Sequence, residues 1–178
     1  MRKTLINQVV APPSSSDPDF LDLESLAQVE ISSECLEYPI ESALLPDALP
    51  VNANLSETGW QAASPGEQTI RIVFDQPRTI EHIVLMFDEQ QHSRTQEFVL
   101  LWLMDKEDGY REILRQQYHF SPPDTTHEIE HYEVELKQLK ALELRITPDI
   151  GGGDTCAKLK KLRIALMPFL ILMAVQFI

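Results

Sequence analysis

Three histidines, His92, His119 and His127, fall in or beside segments that read as loops. Neutral imidazole is a ligand for zinc or copper, and Asp124 stands where it could join such a set. Spacing works against a shared ion, because none of the three forms an HxH pair or a helical HxxxH pair. The interval from His127 to His131 would face both rings alike on a strand but leave them ~13 Å apart. The histidines are therefore read as solvated loop residues. An oxygen-rich stretch carries a different chemistry: Asp47, Asn52 and Asn54, with loop carbonyls, suit calcium, which takes six to eight oxygen ligands. The alternative is an Asx-rich turn whose side chains cap their own backbone. Trp60, Arg94, Tyr118 and Phe120 could form a platform for a sugar or peptide, since rings stack on apolar sugar faces and arginine supplies directed donors. Trp60, just before a strand, reads as a core residue instead.

Signatures of catalysis do not occur in the sequence: there is no GxSxG, HExxH, Walker loop or GxGxxG. The run Gly151 to Gly153 follows a strand pattern, opens no helix and lacks a following Lys-Ser/Thr, so it reads as a flexible turn. A non-catalytic protein is expected.

Composition narrows the partners. Fifteen Lys and Arg against 28 Asp and Glu give a net charge of −13 over 178 residues. Nucleic-acid binding draws its affinity from cations and is excluded as an expectation, as is a polybasic membrane-surface role. Hydrophobic residues at 43% are enough for a core. Two cysteines, Cys35 and Cys156, make no disulfide framework, and the N-terminal apolar patch is too short for a signal peptide. A cytoplasmic location with both thiols reduced is expected.

The elements that must position these residues are strands. Residues 1–27 read as a flexible lead-in, proline- and serine-rich over 11–19, with a short helix near 20–27. From residue 28 to 166, short apolar runs alternate with turn signals. Strands are expected at 28–32, 69–75, 79–87, 96–104, 110–117, 132–136, 142–146 and 162–164, with Ile70, Ile72, Phe74, Leu85, Phe98, Leu100, Leu144 and Ile146 facing the core. Connections are too short for crossover helices, so the sheet is antiparallel. Consecutive loops then alternate between two ends. Residues 76–78, 105–108 and 137–140 share one end as tight turns, the near end. Residues 47–68, 88–94, 121–127 and 149–156 share the far end, and are longer and richer in Gly, Pro, Asn and acids. Elaboration at one end of a trimmed scaffold marks a binding end. Arg94, Tyr118, Asp124 and Asp149 are the expected ligand contacts there.

The order of motifs resembles a known family. Gly59-Trp60 precedes TIRIVFDQPRTIEHIVLMF, followed by EFVLLW, DGYREI, ALELRITPD and the closing KLRIAL. This is similar to the discoidin, or coagulation-factor C-type, domain of the galactose-binding-like superfamily, over residues 29–166. The resemblance implies an all-β, antiparallel eight-stranded jelly-roll β-sandwich. It further implies recognition of sugars, lipids or proteins through loops at one end, and a structural calcium near the first long loop. Arg145 matches the family's late-strand arginine. Cys156 lies before the last strand, and Gly151 to Gly153 stand where an aromatic is common, so the extracellular members' disulfide and that aromatic do not carry over.

The C-terminal residues 167–178 form a hydrophobic tail in which Gln176 is the one polar side chain. It is too short to span a bilayer and is interrupted by Pro168. It packs on the domain, docks a partner such as a second copy of the chain, or is an aberrant extension. The expected function is a binding module for a carbohydrate or protein surface. The alternative is a scaffold subunit that uses the tail and an edge strand for protein–protein contact.

Overall fold

A computed structural model describes residues 20–44 and 59–166. The lead-in before residue 20 and the tail after residue 166 lie outside it. Ten elements follow in order: α1 (Leu23–Leu26), β1 (Ala27–Ile31), α2 (Glu41–Leu44), β2 (Trp60–Pro65), β3 (Gln68–Asp88), β4 (Arg94–Leu103), β5 (Arg111–Phe120), β6 (His127–Thr147), β7 (Cys156–Leu159) and β8 (Lys161–Ala165). Every strand pair is antiparallel. Among the described residues no helix is long and apolar enough to cross a membrane.

β3 and β6 organise the sandwich. Each has 21 residues, and they pair with one another along most of that length, from Gln68↔Ile146 to Asp88↔His127. Their register shifts between Val73 and His82. Before the shift, β3 lies beside β1, and the second half of β6 lies beside β4, which carries β5 at the edge. After it, β3 lies between β8 and the first half of β6. The two strands thus belong to both layers and turn the corner between them together. Alternating apolar residues on each side of the corner explain why both halves form, and exposed Asp75, Gln76 and Pro77 occupy the bend. Pro77 brings no N–H there, which suits a place where the ladder is interrupted.

The corner corrects one expectation. Residues 76–78 and 137–140 do not separate strands; each lies within one continuous strand. Four expected strands therefore merge into two, while β2 and β7, which pair as a separate two-stranded sheet, come from segments read as loop. Three of the four far-end segments still meet, through Asp88 with His127 and through Ile150 with Thr95, while most of 47–68 lies outside the described residues.

The core lies between the layers. All eight residues expected to face it are at most 5% exposed, and Trp60 is 1% exposed. Burying side chains of this size contributes ~1.5–3 kcal/mol each. Towards the far end the core becomes aromatic, with Phe87, Phe98 and Tyr118 at centroid distances of 5.4 to 5.9 Å. On the outer face, Glu143 is buried between Arg71 at 2.8 Å and Arg145 at 2.7 Å, and Arg71 lies over the Tyr110 ring.

Candidate functional site

Three chain segments meet at the far end because β3, β4, β5 and β6 all begin or finish there. Asp88 ends β3 and His127 begins β6, and the register makes them direct partners. His127 Nδ1 lies 2.5 Å from Asp88 Oδ1. The other carboxylate oxygen accepts from Lys160 Nζ. Lys160 is itself fixed where β7 passes into β8, its amide donating to Met86 O at 2.9 Å. One aspartate thus ties an imidazole and an ammonium from three strand ends.

The loop between β3 and β4 is held from within. Glu89 is completely buried, and its carboxylate accepts the amides of Gln91 at 2.9 Å and His92 at 3.2 Å. The same group meets Arg94 Nε at 3.0 Å and Lys158 Nζ at 3.7 Å. Burial alone would raise this carboxyl; the Gln91 amide, the Lys158 and Arg94 charges and the His92 amide together hold it below the ordinary carboxylate range. Arg94 is 3% exposed. Besides Glu89 it donates to Gln96 Oε1 at 3.0 Å and to the carbonyl of Pro148, and its guanidinium lies 5.5 Å from the Phe120 ring. Burial lowers its pKa, partly offset by the Glu89 charge. It is a tie between loops. The third loop is fastened by Ile150, whose amide donates to Thr95 O at 2.8 Å.

Between these segments lies a cleft of about 950 Å³. The β3–β4 loop contributes Gln90, Gln91 and His92; the strand ends contribute Asp88, His127, Lys158 and Lys160; the glycine loop contributes Asp154, Thr155 and Cys156. Tyr38 and Trp60 complete the wall. Tyr38 comes from a turn that is stitched to β2, with Cys35 donating to Gln61 O at 2.8 Å and Gln61 donating to Tyr38 O at 3.2 Å.

The expected site residues fall in different places. Arg94 and Tyr118 are buried, the first in the loop tie and the second in the aromatic core, where burial pushes its phenol up. Asp124 is exposed in the turn closed by the Ser121–Thr125 bridge. Asp149 is half-buried, and its Oδ1 accepts the Gly151 amide at 2.9 Å. None of the four lines the cleft. Asp47, Asn52 and Asn54 lie outside the described residues. Of the loop histidines, His92 and His127 share the cleft, whereas His119 points its Nδ1 at Thr95 Oγ1, 3.0 Å away. Among the described residues no three His, Cys, Asp or Glu side chains gather as a metal site. Lys158, Lys160, Gln90 and Gln91 were not singled out in sequence. Two of them flank the β7–β8 junction, which alternation could have exposed: Ala157 and Leu159 are buried, so Lys158 and Lys160 face the other way.

No protein-family model and no curated protein matches the sequence. Solved structures do. A carbohydrate-binding module, CBM32-3, of a family 31 glycoside hydrolase from Clostridium perfringens is 13% identical with a TM-score of 0.55, over 83% of this chain and 95% of that one. The family 32 module of Clostridium perfringens NanJ, solved with galactose, is 10% identical with a TM-score of 0.55, over 82% and 96%. A further Clostridium perfringens module, solved with GalNAc-β-1,3-galactose, is 14% identical with a TM-score of 0.54, over 82% and 99%. The chain shares the antiparallel β-sandwich fold of these modules.

Proposed function

We propose that the chain is a non-catalytic carbohydrate-binding module and that the far-end cleft holds the sugar. The observation that carries this is the convergence of the β3–β4 loop, the glycine loop and the β6 start on one cleft. Polar side chains held by other side chains suit a sugar, because donors fixed in advance lose little freedom on binding. His127, oriented by Asp88, offers such a contact. The neighbouring folds support the reading, since those modules are carbohydrate-binding ones and two were solved with galactose-containing sugars.

A glycan array followed by titration of the best ligand tests it. His127→Ala is expected to weaken binding about fivefold or more, the loss of one directed contact worth ~1 kcal/mol. Substitutions at Gln76, Lys106 and Lys140, at the near end, are expected to leave affinity unchanged. An array on which the folded protein binds no glycan, or near-end changes that abolish binding while His127→Ala does nothing, would sink the proposal.

A further inference from the structure

The two partners of Asp88 decide what His127 can offer. One carboxylate oxygen lies 2.5 Å from His127 Nδ1, and the other accepts from the Lys160 ammonium. An ionised carboxylate only accepts, so Nδ1 carries the hydrogen between them. In a neutral imidazole the second nitrogen is then bare and is an acceptor. Among the described residues only Asp88 bonds the His127 side chain, and it does so at Nδ1. The side chain is 57% exposed and stands in the wall of the cleft.

Resting on the carbohydrate reading above, we propose that Asp88 and Lys160 fix His127 in its Nδ1–H tautomer, so that Nε2 meets the sugar as an acceptor and requires a hydroxyl donor there. Lys160 is the positioning residue of this arrangement. Its ammonium has three donors and no acceptor, and its backbone is anchored through the amide bond to Met86 O at 2.9 Å. It therefore claims one oxygen of residue 88, and whatever occupies the other branch faces the ring. With aspartate that branch is a second acceptor. With asparagine it is the NH2 group, a donor, which makes Nδ1 accept and moves the hydrogen to Nε2. An aspartate beside Nδ1–H sets both the tautomer and the orientation of a histidine, and its amide sets the wrong tautomer. Exchanging one atom of residue 88 thus inverts what the cleft presents to its ligand.

Long-range proton–nitrogen correlation NMR at about pH 8 reads the tautomer in the free protein, with His127→Gln supplying the assignment. The intact chain is expected to show a protonated Nδ1 and a bare Nε2. Asp88→Asn is expected to reverse the two. Asp88→Asn combined with Lys160→Met is expected to restore the first pattern, because the amide is then free to turn its oxygen to the ring. A bare Nδ1 in the intact chain overturns the proposal. So does an Asp88→Asn protein that keeps the tautomer with its fold intact by circular dichroism, or a reversal that Lys160→Met fails to undo. Methyl glycosides of glucose, galactose and mannose, with any glycan that the array returns, are then titrated into the labelled protein. The Nε2 resonance is expected to shift on binding, and Asp88→Asn to bind at least about fivefold more weakly. A glycan that binds without moving Nε2 overturns the acceptor role and leaves the carbohydrate reading standing. Failure of every sugar to bind overturns that reading, and the free-protein spectra decide the tautomer on their own.

Discussion

Arg94→Ala is the most informative single change in this protein, because sequence and structure assign the residue different work. As an exposed loop contact, its loss would weaken a ligand and leave the fold intact. As the buried tie seen here, its loss strands Glu89, completely buried, with two amides and a Lys158 ammonium 3.7 Å away. It also leaves the Pro148 carbonyl and Gln96 Oε1 without their donor. Removing one partner of a buried ion pair costs ~3–5 kcal/mol. The amides and Lys158 still serve Glu89, so the lower half of that range is expected. At ~2–4 °C per kcal/mol for a domain of this size, the melting temperature should fall by roughly 6–16 °C. Urea unfolding of wild type, Arg94→Met, Glu89→Gln and the double variant gives the coupling between them. The double variant should be less destabilised than the sum of the singles, because it leaves no lone charge behind. A loss below ~1 kcal/mol in Arg94→Ala, with additive singles, would refute the buried tie.

Two further outcomes follow from the same geometry. Glu89 has a folded pKa below its unfolded value near 4.5, so its contribution is complete above that pH and is lost as pH falls through the lower, folded value. Thermal melts between pH 3 and pH 6 should therefore show a smaller acid-induced drop in Glu89→Gln than in wild type, and parallel curves would count against it. Gly59 adopts φ +128°, and an added Cβ would meet Leu159 O at 2.7 Å and Lys160 Cα at 2.9 Å. Gly59→Ala should thus cost ~2 kcal/mol or more, and clearly more than Gly66→Ala, whose site is open. Chemical denaturation of the pair decides it.

What the sequence disclosed depended on whether the signal was local. Ile70, Ile72 and Phe74 alternate on a single strand, so their burial could be read from seven residues. That 88–94, 121–127 and 149–156 meet was equally legible, since counting reversals is indifferent to whether a reversal is a hairpin or a corner. β2 and β7 were not, because WQAASP and CAKL are short and poor in β-branched residues. The buried state of Arg94 was also out of reach. An arginine at a loop end reads as solvated unless its counter-ion is known, and Glu89, five residues earlier, gives no sign of being buried. Asp88 and His127 could be paired only once β3 and β6 were known to be partners.

The double membership of β3 and β6 bears on how the chain comes together. Their contacts close loops of very different length: Asp88 and His127 are 39 residues apart, whereas Arg71 and Glu143 are 72 apart. Closing the shorter loop first is favoured by about 0.5 kcal/mol, and every later pair then adds next to an existing one without a new closure. Pairing that starts at the cleft end of the two strands can run through the corner and into the other layer as a zipper. Neither layer can then melt alone without unzipping its own strands from the other, so the slowest-exchanging amides of both should open in one cooperative unit. The end that we propose receives the ligand is, on this account, also the end from which the sandwich grows.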